Sequence, residues 1–137
     1  EGFQGLDAMS KQPTPRREAD NEAKAVLRAV RVSPRKLDLV AATIRGKKAG
    51  DALSILRFTK KSIARDIEKT LRSAIANAVL VADRNQKRRL DEEDLVVSAC
   101  FAGQGPSQKR VRPAPMGRAF RIIKRTAHIT VQVAERE

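Results

Sequence analysis

The sequence contains no tryptophan and no tyrosine, one cysteine, Cys100, and one histidine, His128. A single cysteine cannot form an internal disulfide, which favours a reducing compartment. Catalysis needs reactive groups that converge, and these two residues offer nothing beyond one thiol–imidazole pair. A lone histidine and a buried cysteine are far more often structural. We therefore predict that the chain is not an enzyme and has no catalytic residue.

Long apolar runs and cofactor motifs are also missing. The sequence has no stretch near the roughly 20 apolar residues that span a bilayer. It has no glycine-rich phosphate loop after a predicted strand and no Cys/His spacing typical of zinc sites. The four consecutive acids at 91–94 predict a solvated turn, because hard-metal sites usually space their carboxylates. We predict no membrane partner, no small-molecule substrate, no cofactor and no metal.

Positive charge is what the sequence has in excess. The chain holds 29 basic and 16 acidic residues, a net charge of +13. Residues 1–22 contain five of the acids and three of the bases, so the remaining sequence carries about +15. A folded body has no internal need for such a charge, which repels itself. A polyanion is the natural partner, and nucleic acid fits better than an anionic membrane.

The periodicity predicts a flexible tail followed by a single domain of residues 23–137. Residues 1–22 lack hydrophobic periodicity and the apolar core of a signal peptide. Ala23–Val32 predicts a strand with a basic face. Ser33 and Pro34 predict the start of a helix that ends near Gly46. Its apolar face consists of Leu37, Val40, Ala41 and Ile44.

Two further helices are predicted after this one. The first is short and covers residues 50–58, with apolar residues at Ala52, Leu53 and Leu56. The second has an apolar stripe over about five turns, formed by Ile63, Ile67, Leu71, Ala74, Ile75, Ala78 and Ala82. The small residues of SAIANA, residues 73–78, allow another backbone to approach closely. That backbone is either the sheet or an RNA strand that contacts Ser73 and Asn77.

Two alternating segments near the C terminus predict half-buried strands. The first is expected to place Leu95, Val97, Ala99 and Phe101 on one face. The second is expected to do the same with Ile129, Val131 and Val133. If the two strands pair antiparallel, they enclose a 26-residue connection, residues 102–127. Compact domains seldom contain so long a connection unless it has a function.

The connection contains the segment GPSQKRVRPAPMGRAFRIIKR, residues 105–125, with seven basic residues, three prolines and no acid. Residues 119–124 are β-prone and can extend the second strand outward. The simplest solution is a hairpin arm with about 12 residues per strand, which would reach about 40 Å. An isolated hairpin of this length is marginal in water, so the arm favours a large anionic partner such as folded RNA. A disordered basic loop in the free protein is the alternative.

Three segments, in this order, resemble the bacterial-type large-subunit ribosomal protein L22 (uL22) family. They are RVSPRKLDLVAATIRGKK, SAIANA and GPSQKRVRPAPMGRAFRIIKRTAHITVQV, and the match covers residues 23–135. The resemblance implies an α+β fold in which three helices pack on a small three-stranded antiparallel sheet, with a long extended β-hairpin arm. One departure lies at Pro113–Arg118, where the family usually reads Pro-Arg-Ala-x-Gly-Arg and this chain reads PAPMGR.

The resemblance also implies a function and partners. Family members bind large-subunit rRNA, aid its assembly, contact neighbouring large-subunit ribosomal proteins, and line the nascent-peptide exit tunnel with the hairpin tip. We therefore expect a place on a bacterial-type ribosome in the cytoplasm or in an organelle. A stand-alone basic RNA-binding module or RNA chaperone is the alternative. Retention on large subunits through a salt wash separates the two.

The residues that the resemblance and the charge pattern assign to these partners form two groups. The residues expected to bind rRNA are Arg28, Arg31, Arg35, Lys36, Arg45, Lys47, Lys48, Lys109, Arg110, Arg112, Arg118, Arg121, Lys124 and Arg125. The residues expected to line the tunnel are Lys109, Arg110, Val111, Arg112, Pro113, Ala114, Pro115 and Met116. Phosphate contacts and RNA shape should dominate binding, since four phenylalanines are the only aromatic residues.

Overall fold

The computed structural model describes residues 22–84 and 91–135. The tail predicted at 1–22 lies outside these ranges, except for Glu22, and so does part of the predicted polar connection before residue 91. The elements of the described ranges are β1 (Glu22–Val30), α1 (Pro34–Ile44), α2 (Ala49–Phe58), α3 (Ile63–Arg84), a 3-10 turn (Glu92–Asp94), β2 (Leu95–Gln104), β3 (Gln108–Pro113), β4 (Ala119–Lys124) and β5 (Ala127–Glu135).

The body is a three-stranded antiparallel sheet, in the order β1-β5-β2, with helices on one face. This confirms the predicted α+β class. Helix α3 packs along β1 and β5, and α1 packs along β2. The predicted apolar stripe of α3 is buried along its whole length, including Ile67, Leu71 and Ala74 at 0% exposure. The core is therefore aliphatic and lies between α3, α1 and the inner face of the sheet.

Helix α1 begins and ends where its sequence signals predict. Ser33 is the N-cap residue and Pro34 the first helical residue, although the Ser33 side chain makes no capping hydrogen bond. Gly46 has a φ of +72°, which favours glycine just beyond a helix end. Its N–H donates to the carbonyl of Val97 at 2.9 Å, and the N–H of Val97 donates to the carbonyl of Lys47 at 2.9 Å. The end of α1 thus covers the outer edge of β2.

The small residues of α3 serve the packing of helix on sheet. Ala74, Ile75 and Ala78 are buried. The side-chain amide of Asn77 donates to the carbonyl of Lys24 in β1 at 3.0 Å. Asn77 is therefore engaged with the sheet, whereas Ser73 is exposed.

Strand β2 does not keep the regular alternation that its sequence predicts. Val97 pairs with Val133 but Ala99 pairs with Gln132, so Ser98 is an extra residue in a β-bulge. After the bulge the two faces exchange, since side chains alternate along a strand. Cys100 is consequently 1% exposed in the core, while Phe101 is 48% exposed on the outer face. The prediction that Ala99 and Phe101 share the core face with Leu95 and Val97 was wrong.

A second bulge lies near the end of β1. Leu27 pairs with Ile129 and Val30 with Ala127, so Arg28 and Ala29 lie opposite the single residue His128. Ala29 has a φ of +56°, which costs an L-residue other than glycine about 1–2 kcal/mol. Strand β1 ends at Val30, before the predicted limit of the strand at Val32.

The 26-residue connection is a hairpin arm, as predicted. Strands β2 and β5 pair as far as Gln104 and Ala127, and β3 and β4 then pair from Gln108 and Lys124 to Pro113 and Ala119. A turn over residues 114–118 closes the arm, with the N–H of Ala114 donating to the carbonyl of Arg118 at 2.9 Å. Nine residues on the outgoing side, at roughly 3.3 Å each, carry the tip about 30 Å beyond the body sheet.

An elbow joins the body sheet to the arm, where residues 105–107 face residues 125–126. The N–H of Gly105 donates to the carbonyl of Thr126 at 2.9 Å, and the hydroxyl of Thr126 donates to the carbonyl of Pro106. A Cβ at Gly105 would lie 2.5 Å from the Thr126 hydroxyl oxygen and 3.2 Å from its carbonyl atoms. This close approach requires glycine, and it fixes the direction in which the arm leaves the body.

We predict that the stability of the body depends on the buried stripe of α3 and not on apolar residues of its exposed side. Leu71→Ala should lower the free energy of unfolding by about 2–5 kcal/mol, because it removes apolar contacts and leaves a cavity. Leu80→Ala is the matched control on the same helix, since Leu80 is 64% exposed, and should change it by about 0.5 kcal/mol or less. Urea unfolding measures both. Equal losses would contradict this packing.

We also predict that Gly105 controls the direction of the arm. Gly105→Ala should push Thr126 away and break the elbow, at a cost of about 1–3 kcal/mol for the overpacking. Gly103→Ala is the matched control, because a Cβ there meets only His128 atoms at 3.9 Å. Spin labels on Leu39→Cys and Met116→Cys, two exposed positions, would report the distance from body to tip. An unchanged distance distribution in Gly105→Ala would refute the role of the elbow.

Candidate nucleic-acid interface

An open groove of about 800 Å³ lies between the start of α1 and the base of the arm. We name it the basic groove, because five of its ten lining residues are basic and none is acidic. It is lined by Arg31, Val32, Ser33, Lys36, Gln108, Arg110, Ile123, Lys124, Arg125 and Thr126. The groove thus joins parts of the chain that are more than 70 residues apart, which sequence periodicity alone does not reveal.

The cations of the basic groove are not neutralised by acidic side chains of the described ranges. None of them forms an ion pair with the part of the chain that the structure describes. Arg110 instead donates to the side-chain oxygen of Gln108 and to the carbonyl of Lys109, both at 2.9 Å. Like charges that line one groove repel each other, and an external anion is the simplest source of compensation.

The arm mixes charge and apolar surface on both of its faces. Each of its four central cross-strand pairs joins one basic to one apolar residue. The pairs are Lys109 with Ile123, Arg110 with Ile122, Val111 with Arg121, and Arg112 with Phe120. Paired residues share a face and successive pairs alternate, so neither face is purely basic or purely apolar. In these four pairs, therefore, no basic residue lies directly opposite another basic residue.

The arm exposes much of its apolar surface. Val111 is 73% exposed, Phe120 62% and Ile123 44%. All the phenylalanines in the described ranges, which also include Phe58 and Phe101, are exposed, whereas the core is aliphatic. Only the basic residues of the arm were predicted to bind RNA. The alternation of basic and apolar residues in KRVRP and AFRIIK could have indicated that the apolar residues of the arm are also exposed.

The predicted tip residues do not all lie at the tip. The turn itself contains Ala114, Pro115, Met116 and Gly117, with Met116 94% exposed and both Met116 and Gly117 at positive φ. Pro113 ends β3. By contrast, Lys109 and Arg110 belong to the cross-strand pairs near the base of the arm, and Arg110 lines the basic groove. Arg112 is the basic residue of β3 nearest to the turn, and Arg118 is the last residue of the turn.

The remaining predicted basic residues lie around the body. Arg28 and Arg35 are exposed and lie within three residues of Arg31 and Lys36, which line the basic groove. Lys47 and Lys48 are exposed between α1 and α2. Arg45 differs, because it pairs with Asp38 and donates from Nε to the carbonyl of Cys100. Its guanidinium therefore already has partners within the protein.

Cys100 and His128 do not form a thiol–imidazole pair. Cys100 lies opposite Val131 and faces the core, while His128 lies opposite Gly103. Burial raises the pKa of the Cys100 thiol to about 11, although the charge of Arg45 acts in the opposite direction. The thiol is therefore protonated at neutral pH and is a poor nucleophile. His128 Nδ1 accepts a hydrogen bond from the N–H of Ala29 at 2.9 Å.

Within residues 22–84 and 91–135, no group of His, Cys, Asp or Glu side chains is arranged to hold a metal ion. Asp91, Glu93 and Asp94 are exposed in and beside the 3-10 turn, consistent with the predicted solvated turn. None of the described helices is long and apolar enough to cross a membrane.

Comparison with known proteins places this chain in a family. The chain matches the family described as "Ribosomal protein L22p/L17e" over residues 25–134. It is 51% identical to a protein of Beijerinckia indica subsp. indica over 93% of this chain and 94% of that protein. It is 49% identical to a protein of Solibacter usitatus over 85% and 98%, and 54% identical to one of Fusobacterium nucleatum over 85% and 99%.

All three relatives carry the name "Large ribosomal subunit protein uL22". The family match spans most of the chain, and the relatives align over nearly their entire length. The family is one of ribosomal proteins and not of enzymes, which agrees with the prediction from the sequence. This chain therefore belongs to the L22 family (L22p/L17e, uL22) of large-subunit ribosomal proteins.

Proposed function

We propose that this large-subunit ribosomal protein binds rRNA through the basic groove and the arm, aids the assembly of that RNA, and lines the nascent-peptide exit tunnel with the tip of the arm. The observation that carries the proposal is the basic groove, where five cations without ion-pair partners in the described chain surround an open space. Phosphate oxygens satisfy guanidinium and ammonium groups in such a setting, and the release of counterions favours binding.

The arm supports contacts with RNA on both of its faces. Each central pair offers a cation for a phosphate and an apolar side chain for a sugar or a base. A hairpin that lay on a flat RNA surface would need only one such face. The two mixed faces therefore favour an arm inserted between RNA segments, which would join separate regions of the rRNA and so aid assembly.

The tip is suited to the wall of an aqueous passage. Pro113 and Pro115 restrict φ and remove two backbone donors, so a passing peptide could not readily add to the turn as a strand. Met116, Gly117 and Arg118 are exposed at the far end of the arm. The resemblance of the segment to the family's hairpin tip supports the assignment of this end to the tunnel.

We expect the protein's other partners and its location to be those of a large-subunit ribosomal protein. The relatives come from bacteria and carry the name of a large-subunit protein, which supports a bacterial-type ribosome. Neighbouring large-subunit proteins are expected partners of the body, and the nascent peptide is the expected partner of the tip. Retention on large subunits through a high-salt wash tests this against a stand-alone RNA-binding module, which would dissociate.

We predict that charge reversal in the basic groove weakens rRNA binding. Lys36→Glu combined with Lys124→Glu should lower the affinity for deproteinised large-subunit rRNA by tenfold or more. The slope of log affinity against log salt should fall by about 1–2, because roughly two phosphate contacts are lost. Filter binding over a salt series measures both quantities.

The matched control is Lys60→Glu combined with Lys61→Glu, which changes the net charge equally at two exposed lysines between α2 and α3. It should keep the wild-type slope. Equal losses for the two double variants would mean that overall charge, and not the basic groove, determines binding.

We predict a different effect for charge reversal near the tip. Arg112→Glu combined with Arg118→Glu should still allow the protein to join the subunit, because the basic groove is unchanged. It should change the potential in the tunnel, and so alter stalling by arrest peptides. Ribosomes that carry the variant would be compared with wild type in a stalling assay and in inhibition by a tunnel-binding macrolide. Arg112→Lys with Arg118→Lys keeps the charge and is the control. Unchanged responses, with the variant confirmed in the subunit, would argue against this position for the tip.

A further inference from the structure

Arg28 and Arg31 are both exposed, although a regular strand would not expose both. Side chains alternate between the faces of a strand, so residues three apart point to opposite faces. If the regular pairing continued beyond Leu27 and Ile129, Ala29 would lie on the core face of the sheet and Val30 on the outer face. In the structure Val30 and Val32 instead pack against the core, while Arg28, Ala29 and Arg31 are exposed.

The β1 bulge causes this change. Arg28 and Ala29 together lie opposite His128, which adds one residue to β1 and exchanges the faces that follow. The N–H of Val32 then donates to the carbonyl of Val30 at 2.8 Å, in a tight turn centred on Arg31. Arg31 consequently lines the basic groove and does not point toward the core.

One side chain accepts a hydrogen bond from the backbone N–H of the bulged residue Ala29. The N–H of Ala29 donates to Nδ1 of His128 at 2.9 Å. Ala29 is held there at a φ of +56°, a conformation that alanine rarely adopts without support. Since Nδ1 accepts this hydrogen bond, the neutral imidazole must carry its proton on Nε2.

We propose that His128 is a positioning residue of the RNA interface: its Nδ1 fixes the β1 bulge, and the bulge turns Arg31 to the exposed face that already carries Arg28, toward RNA. The inference rests on the proposed rRNA binding and adds to it a role for the only histidine of the chain. It links a residue that follows the arm to the orientation of Arg31, about 100 positions earlier in the sequence.

The test compares two substitutions of His128. His128→Leu fills the space but cannot accept the hydrogen bond. His128→Asn keeps an acceptor, because the Asn side-chain oxygen can occupy nearly the same position as Nδ1. We expect His128→Leu to reduce affinity for deproteinised large-subunit rRNA about fivefold and to lower the salt slope by about 1, as the phosphate contact of Arg31 is lost. We expect His128→Asn to bind within about twofold of wild type.

A second pair of variants tests the bulge without changing His128. Ala29→Val should reproduce the loss seen in His128→Leu, because a β-branched residue disfavours positive φ. Ala29→Gly should bind like wild type, and Ala29→Gly should partly restore binding when combined with His128→Leu. Thermal unfolding of each variant identifies any that fail to fold, and the Ala29 pair decides the question if His128→Leu is one of them.

The outcomes separate this inference from the proposed function. Weak binding by the wild-type protein, with little salt dependence, would overturn the proposed function. Tight wild-type binding with an unchanged salt slope in both His128→Leu and Ala29→Val would overturn only the role of His128. The ¹⁵N spectrum of the histidine in the free protein is independent of RNA. It should show the Nε2–H tautomer, and the other tautomer would refute the proposal directly.

Discussion

The antiparallel pairing of β2 with β5 is the interaction on which the rest of the molecule depends. The inner sides of these strands supply Val97, Cys100, Ile129 and Val131 to the core, and α1 and α3 pack over them. The same two strands lead through the elbow into β3 and β4. The arm therefore starts from a register that the hydrophobic core has already fixed, and the elbow then sets its direction.

The body and the arm are stabilised by different means. The body buries an aliphatic core, so it has its own source of folding free energy. The arm buries almost nothing: every residue of β3 is exposed, and Ile122 is the one partly buried residue of β4. Its backbone pairing alone would be marginal in water, and its charges repel each other. Contacts with RNA on two faces would supply both the apolar burial and the charge compensation that the arm lacks.

Departures from regular geometry determine where the functional side chains point. The bulge at Ser98 directs Phe101 outward and Cys100 inward, and the bulge at Arg28 and Ala29 exposes Arg31. The elbow brings the base of the arm near the start of α1 and so forms the basic groove. Each departure carries its own hydrogen bonds or requires a specific residue, as Gly105 does in the elbow. They are therefore integral to the fold.

Elements whose signals are local could be predicted from the sequence. The stripe of α3, the limits of α1 between Ser33 and Gly46, and the hairpin arm follow from periodicity, capping residues and turn residues. The net charge depends on composition alone, so the sequence was also sufficient to indicate a polyanionic partner. The tertiary structure alone decided the two bulges, the internal partners of Arg45, and the position of Arg110 in the basic groove. These depend on which distant residue lies opposite, such as His128 across from Ala29, and local periodicity carries no information about that pairing.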